Sequence, residues 1–524
     1  MKKILWSVVL LFLTSTACVR KSNVPQNVLR MPLESDPPTL DWTLCKDHVS
    51  ITTIYLLQEG LTKQDANLNI VPALAEKWDI SSDGTTYTFH LRDAKWSDGV
   101  AVKAQDFVYG WKRLLDPKQA AEYAYFLYDV TNAKEFNQGT VKEFEKVGIR
   151  AVDDKTVEVK LKYPASYFLH IPAFPVTFPQ RQDIILASPT QFAEPPHLRS
   201  TGPYRLSEWK HESSLVLEPN PYYYGPKPSI AKVIFYVVKE DSTALAMYEE
   251  GQLDVAFRIP ALDLDRVKKW PDYRPEPILR GYYYGFNVEK KPFDNVLVRQ
   301  AFARAVQRTD IVAALRAGKV ATKSWVPKGM FGYENAIGLD YDPKKAKELL
   351  AQAGFPDGKG FPAVTLMYDS LEMNKLVAEK LQYAWKSVLG LDKIELVPQE
   401  WKVYLDTLDH NPPQLFRMGW GADYPDPNNF LDLFTSTSGN NNTHWKNKTY
   451  DGLILAGAKS QSPRERQAIY KEAQKLLLEE ETAIIPLFQE TIEMVVKPYV
   501  KHFTIDALEY PRVQDATIDL TAQK

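Results

Sequence analysis

Residues Thr86 to Arg92 alternate polar and apolar side chains, and Thr156 to Lys162 do the same with Val157, Val159 and Leu161 on one face. A period of two predicts half-buried strands at both places. Lys232 to Val238, Val364 to Tyr368 and Ile394 to Val397 are further strand-like runs. The spacing changes at Val298, Ala301, Phe302, Ala305 and Val306, which predicts an amphipathic helix with Asp294 as its cap. Asp342-Pro343 followed by Ala346, Leu349, Leu350 and Gly354 sets cap, first-turn proline, apolar face and terminating glycine in order. Ser462-Pro463-Arg464-Glu465 reads as a capping box ahead of Ile469, Ala473 and Leu476. Strands and helices alternate after about residue 280, residues 60 to 165 are richer in strand, and no fixed-period repeat occurs. The pattern predicts a mixed α/β chain with at least two lobes.

The first residues follow a different rule. Met1-Lys2-Lys3 is positive, Ile4 to Leu13 is apolar except for Ser7, and Ser15-Thr16-Ala17-Cys18 is a run of small residues ending in cysteine. Ten apolar residues are too few for a membrane-spanning helix, which needs about 20. They suit a secretory signal over residues 1–17. Cys18 directly after Ala17 resembles a lipoprotein lipobox, with Ser15 standing where an aliphatic residue is usual. Under that reading Cys18 carries the lipid and Cys45 is the one thiol left, so no internal disulfide can form.

The chain has 524 residues, 44% hydrophobic and 25% charged, with 64 Lys and Arg against 66 Asp and Glu. This balance supplies no basic field for nucleic acid. Twelve Trp, 28 Tyr and 23 Phe suggest an ordered protein with aromatic-lined surface. The eight histidines are scattered, with no two close enough to share a helical turn, and there is no Cys-x-x-Cys, so no local metal site is expected. Dinucleotide fingerprint, Walker loop and nucleophile elbow are all missing, and no cofactor is expected. Asp423 and Asp426, in Gly419-Trp420-Gly421-Ala422-Asp423-Tyr424-Pro425-Asp426-Pro427, read either as turn and capping residues or as a hydrolase carboxylate pair. Tyr222-Tyr223-Tyr224 and Tyr282-Tyr283-Tyr284 would alternate faces on a strand, one side core and the other lining a cleft.

Several long ordered stretches point further. They are Val71 to Trp78; Tyr87 to Phe107, containing Ala94-Lys95-Trp96-Ser97-Asp98-Gly99; Gly281 to Arg308, containing Lys291-Pro292-Phe293-Asp294; Gln399-Glu400-Trp401; and Arg417-Met418-Gly419-Trp420-Gly421-Ala422-Asp423-Tyr424, followed by Phe430-Leu431 and Asn441-Asn442-Thr443. On these stretches the chain resembles the bacterial oligopeptide-binding proteins, extracytoplasmic solute receptors of the peptide/nickel class of ABC importers. The resemblance implies an α/β, two-lobed periplasmic-binding-protein fold of the large class II type, with an extra subdomain on the first lobe and a hinge between lobes. Lobe I would comprise residues 19–57, 184–279 and 496–524, its extra subdomain 58–183, and lobe II 280–495. It implies a monomeric, non-enzymatic, lipid-anchored receptor that takes short peptides and passes them to membrane permease subunits.

Residue by residue, the resemblance makes Asp423 the carboxylate that receives a peptide's α-ammonium. The backbones of Gly419, Trp420 and Gly421 on one lobe, and of Lys46, Asp47 and His48 on the other, would pair with the peptide main chain. Tyr123, Tyr283, Trp401 and Trp420 would line pockets, and Arg417 and Arg316 would meet the ligand carboxylate. Three positions depart from the family: Asn374 stands where a histidine is usual, Leu408 where an arginine is, and Gly285 where an acidic pocket residue is. Other ligands for the same fold, namely cell-wall peptides, a nickel chelate, haem or an oligosaccharide, remain open, as does a secreted hydrolase using Asp423 and Asp426.

Overall fold

The computed structural model describes residues 27–260, 262–315 and 318–522; the signal segment 1–17, Cys18 and Arg316 lie outside the described residues. Three main sheets carry the architecture. The first has the strand order Val28–Leu33, Lys232–Val237, Ser214–Pro219, Tyr204–Lys210, parallel in its first pair and antiparallel after it. The second, antiparallel throughout, runs Ala75–Ile80, Thr86–Leu91, Thr156–Lys160, Ile149–Asp153. One hydrophobic core joins these two sheets, running from Leu29 through Trp96, Trp111 and Phe178 to Phe235.

The third sheet is mixed and seven-stranded. Its order is Val255–Phe257, Ile484–Val496, Tyr273–Phe286, Leu415–Gly421, Val364–Asp369 and Ile394–Gln399, with Val320–Ala321 added to Ile484–Val496. Its far half is buried on both faces. Tyr282 and Tyr284 lie in one core with Phe302 and Trp385, and Tyr283 lies in another with Trp325 and Phe434. The long antiparallel pair Tyr273–Phe286 and Ile484–Val496 stretches between the first core, at Met494 and Val496, and these two, at Tyr282 to Phe286 and Ile484 to Phe488, with a register shift between Pro277 and Gly281. The result is a two-lobed α/β protein whose lobes are linked along that ribbon. A bulge is where such a ribbon bends most easily.

The periodic segments form as their spacing predicts, with two differences at their ends. The helix Val296–Arg304 is capped by Asn295, whose side chain accepts from the Leu297 amide at 2.9 Å, and not by Asp294. Ser462 does cap Pro463–Lys475 through the Glu465 amide, but the Glu465 carboxylate accepts from Ser460 Oγ at 2.7 Å, so the reciprocal half of the capping box is not made. At Pro343–Gln352 the Asp342 side chain accepts from the Lys345 amide, and Gly354 supplies a positive φ of 98° just past the end.

The aromatic wealth goes largely inward. Trp96, Trp111, Trp325 and Trp385 are fully buried, and each indole N–H finds an acceptor: Asp106 at 3.1 Å, and the carbonyls of Thr177, Phe430 and Phe302 at 2.6, 2.8 and 3.0 Å. A buried indole without such a partner would forfeit part of what its burial gains. No helix among the described residues is long and apolar enough to cross a membrane.

Candidate functional site

Leu415–Gly421 pairs along its whole length with Tyr273–Phe286, from Arg280 opposite Gly421 to Phe286 opposite Leu415. On its other edge Val364–Asp369 reaches only Leu415 and Phe416. The strand therefore runs on through Arg417 to Gly421 with one edge unpaired. Ala422 donates its amide to the Leu279 carbonyl at 2.9 Å, so by antiparallel alternation Met418 and Trp420 face the same way and Arg417, Gly419 and Gly421 face the open edge. Tyr404 Oη donates to the Arg417 carbonyl and closes that position. Gly419 and Gly421 are left with backbone donors and acceptors toward the gap.

The open edge leads to Asp423. Its backbone is held by an N–H donated to Asn429 Oδ1 at 2.9 Å, and its carboxylate accepts from Asn429 Nδ2 at 3.4 Å. Asn429 Oδ1 also accepts from the Trp420 indole at 3.1 Å, so one buried amide fixes both residues. No cation reaches the Asp423 carboxylate among the described residues. Burial pushes its pKa up to about 6, with the Asn429 hydrogen bond pulling the other way.

Asp426 is different. Arg466 donates to both its oxygens at 2.9 and 2.7 Å in a buried ion pair. It is committed to structure, which removes it as a partner for Asp423 in the hydrolase reading.

Asp423 and Trp420 line a cavity of about 590 Å³ between the lobes. Its opposite wall comes from the helical turn Glu122–Leu127 and the segment after the strand Thr156–Lys160, through Tyr125, Phe126, Tyr163 and Tyr167. The two walls touch at its base: Ser166 donates through its amide and hydroxyl to the Ala458 carbonyl at 2.9 and 3.1 Å, and Tyr167 stacks on Tyr424 at 5.5 Å. Tyr123 packs on Phe126 and Phe174. Burial raises its pKa first, and the charges of Asp423 and Asp47 add to this, so its hydroxyl lies within the field of both lobes.

Asp47 caps His48–Leu57 by accepting from the Ser50 amide at 2.8 Å, and Lys46 pairs at the surface with Glu122. The backbone amides of Lys46 and Asp47 donate to no group among the described residues. The His48 ring stacks on Tyr510 at 5.2 Å, and burial lowers its pKa.

Other expected site residues sit elsewhere. Tyr283, expected on a pocket wall, is 3% exposed and packs edge-on against Trp325 and Phe434, because the sheet is covered on both faces. Trp401 is 46% exposed and stacks on Tyr404 at 5.9 Å, away from the cavity lining. Arg417 Nη1 donates to Asp369 at 3.1 Å and the guanidinium lies over the Tyr282 ring, while its buried Nε has no hydrogen-bond partner among the described residues. Burial disfavours the charge on Arg417, but Tyr282 and Asp369 outweigh it and the pKa is raised.

The three departures are scaffold positions in this structure. Asn374 is fully buried between Tyr282 Oη and Asp369, each at 2.8 Å; Leu408 is core; and a Cβ on Gly285 would stand 2.4 Å from the Phe416 ring. Sequence reasoning did not single out Asn429 or Asp432. The only local signal was their place in the turn and short helix that follow Asp423.

This geometry presents an open strand edge and, at its end, a part-buried carboxylate with no cation partner among the described residues. The family model of bacterial extracellular solute-binding proteins, family 5 (Middle), matches residues 69–442. The oligopeptide-binding protein OppA of Bacillus subtilis is 34% identical over 479 residues, 88% of this chain and 87% of its own. The periplasmic murein peptide-binding protein MppA of Escherichia coli is 32% identical over 493 residues, 90% of each chain. A solved structure of the murein tripeptide-binding protein MppA in its unliganded open form superposes with a TM-score of 0.84 at 30% identity, covering 94% of this chain and 97% of that one. With more than half its length inside the family match and relatives of this identity across nearly all of it, this chain belongs to the bacterial extracellular solute-binding proteins of family 5.

Proposed function

We propose that the protein is a lipid-anchored extracytoplasmic receptor that binds short peptides between its lobes and delivers them to the permease of an ABC importer. The observation that carries this is the unpaired edge of Arg417 to Gly421 ending at Asp423, a part-buried carboxylate with no cation partner among the described residues. Backbone pairing recognises any peptide regardless of side chain, and the carboxylate fixes register through the one group every unblocked peptide shares. The relatives named for oligopeptide and murein peptide binding support the same substrate class.

In this reading the lobes follow the division into 19–57, 184–279 and 496–524 against 280–495, with 58–183 appended to the first. Ligand in the gap then favours the closed arrangement through its contacts with both lobes. Cys18 holds the chain to the membrane by its lipid. Calorimetry with trialanine and N-acetyl-trialanine tests the binding claim: the free peptide binds and the blocked one binds at least about 100-fold more weakly, whereas equal affinities reject Asp423 as an ammonium site. Radiolabelled fatty acid incorporated into the expressed protein, and lost in Cys18→Ala, tests the anchor.

A further inference from the structure

The cavity is larger and more acidic than one ammonium requires. Besides Asp423 it is lined by Asp129, Asp432 and Asp451, and no Lys, Arg or His is among its lining residues. Two of these carboxylates are already satisfied. Asp129 accepts from the hydroxyls of Tyr163 and Tyr167, the latter at 2.7 Å, and Asp451 accepts from the Ser436 amide at 2.9 Å.

Asp432 is not satisfied in this way. Among the described residues its carboxylate meets only the Leu433 backbone N–H and a long 3.5 Å hydrogen bond from Asn428 Nδ2, and no cation. Burial raises its pKa to about 7, and the negative charge of Asp423 adds to the rise. Two part-buried carboxylates facing one cavity with no positive side chain in its lining, the charge of Asp423 disfavouring that of Asp432, form an arrangement that a second cation would relieve. Lys459 lies over the Tyr163 ring at 5.7 Å but is not part of the lining. No group of three or more His, Cys, Asp or Glu side chains placed to hold a metal ion occurs among the described residues. Ile454, Leu455 and Ala458 add an apolar strip along which an alkyl stem can lie.

We infer that the preferred ligand carries a second cation on its first residue, a lysine, ornithine or arginine side chain, which enters this cavity to meet Asp432 while the α-ammonium meets Asp423. The inference rests on the peptide-binding reading and adds a side-chain preference to it. At about 590 Å³ the cavity has room for such a side chain, within the roughly 300–1,000 Å³ usual for ligand pockets.

The test compares Lys-Ala-Ala with norleucine-Ala-Ala, which differ by the terminal charge, against the full-length protein and its Asp432→Asn variant by calorimetry at pH 8, with trialanine as reference. The lysine peptide should bind at least 30-fold more tightly than the norleucine peptide, and that ratio should fall below about 5 in Asp432→Asn. Equal affinities in the unaltered protein, or a lysine preference that survives in Asp432→Asn, overturns the inference even where trialanine binds well. Failure of all three peptides to bind removes the peptide reading itself, and this inference with it.

Discussion

Asp423→Asn should strengthen the empty protein and disable its site. The carboxylate has a pKa of about 6 in the fold against 3.8 for the unperturbed group. Its folded pKa is raised, so the folded chain binds the proton more tightly than the unfolded chain. Ionised Asp423 therefore costs stability, nothing below about pH 4 and the full amount above about pH 6. At 1.36 kcal/mol per pKa unit the cost is on the order of 3 kcal/mol, and the isosteric amide removes it. Denaturant unfolding should then show the variant more stable by up to about 3 kcal/mol at pH 8 and indistinguishable from the parent at pH 4. For an unblocked tripeptide the same change removes one side of an enclosed ion pair, worth about 3–5 kcal/mol, so affinity in calorimetry should fall by at least about 100-fold. A variant that is less stable at pH 8, or that keeps the parent's affinity, refutes the reasoning that Asp423 is held charged at a cost for the sake of a cationic ligand.

Binding of an unblocked tripeptide should itself strengthen as pH rises from 5 to 7, because the ammonium requires the ionised form of a group titrating near 6, and calorimetry in buffers of different ionisation heat should register proton release. Asp426→Ala should destabilise by about 3–5 kcal/mol in denaturant unfolding, since it strands the buried Arg466 guanidinium. Gly285→Ala should cost about 1–3 kcal/mol by the same measurement, because its Cβ would force the Phe416 ring to move. Cys45 is 1% exposed and burial pushes its thiol well above the usual range, so a thiol reagent should label it only after unfolding.

The strands at Thr86–Leu91 and Thr156–Lys160 and the helix Pro343–Gln352 were legible because their signals are local: alternation, and a cap followed by proline. The cap at Asn295 was misassigned by one residue because Asp294 and Asn295 are both good caps, and the choice is settled by the extended backbone of Asn295. Alternation along Tyr282-Tyr283-Tyr284 was visible in the sequence. That both faces are covered was not, since the cover comes from Asn374 and Phe488 on one side and from Trp325 and Phe434 on the other, far along the chain. Asp423 and Asp426 lie three residues apart in one turn-rich segment, and nothing local separates them. Arg466, forty residues on, neutralises Asp426 and leaves Asp423 to the cavity. Asp432 has no comparable local signal either: its significance lies in having no distant cation partner among the described residues.

The most direct test is the structure of the protein crystallised with an unblocked tripeptide. The peptide main chain should lie as an added strand against Gly419 and Gly421, with its α-ammonium within about 3 Å of the Asp423 carboxylate. A peptide bound in the opposite direction, or one that leaves Asp423 without a cation, would contradict the account.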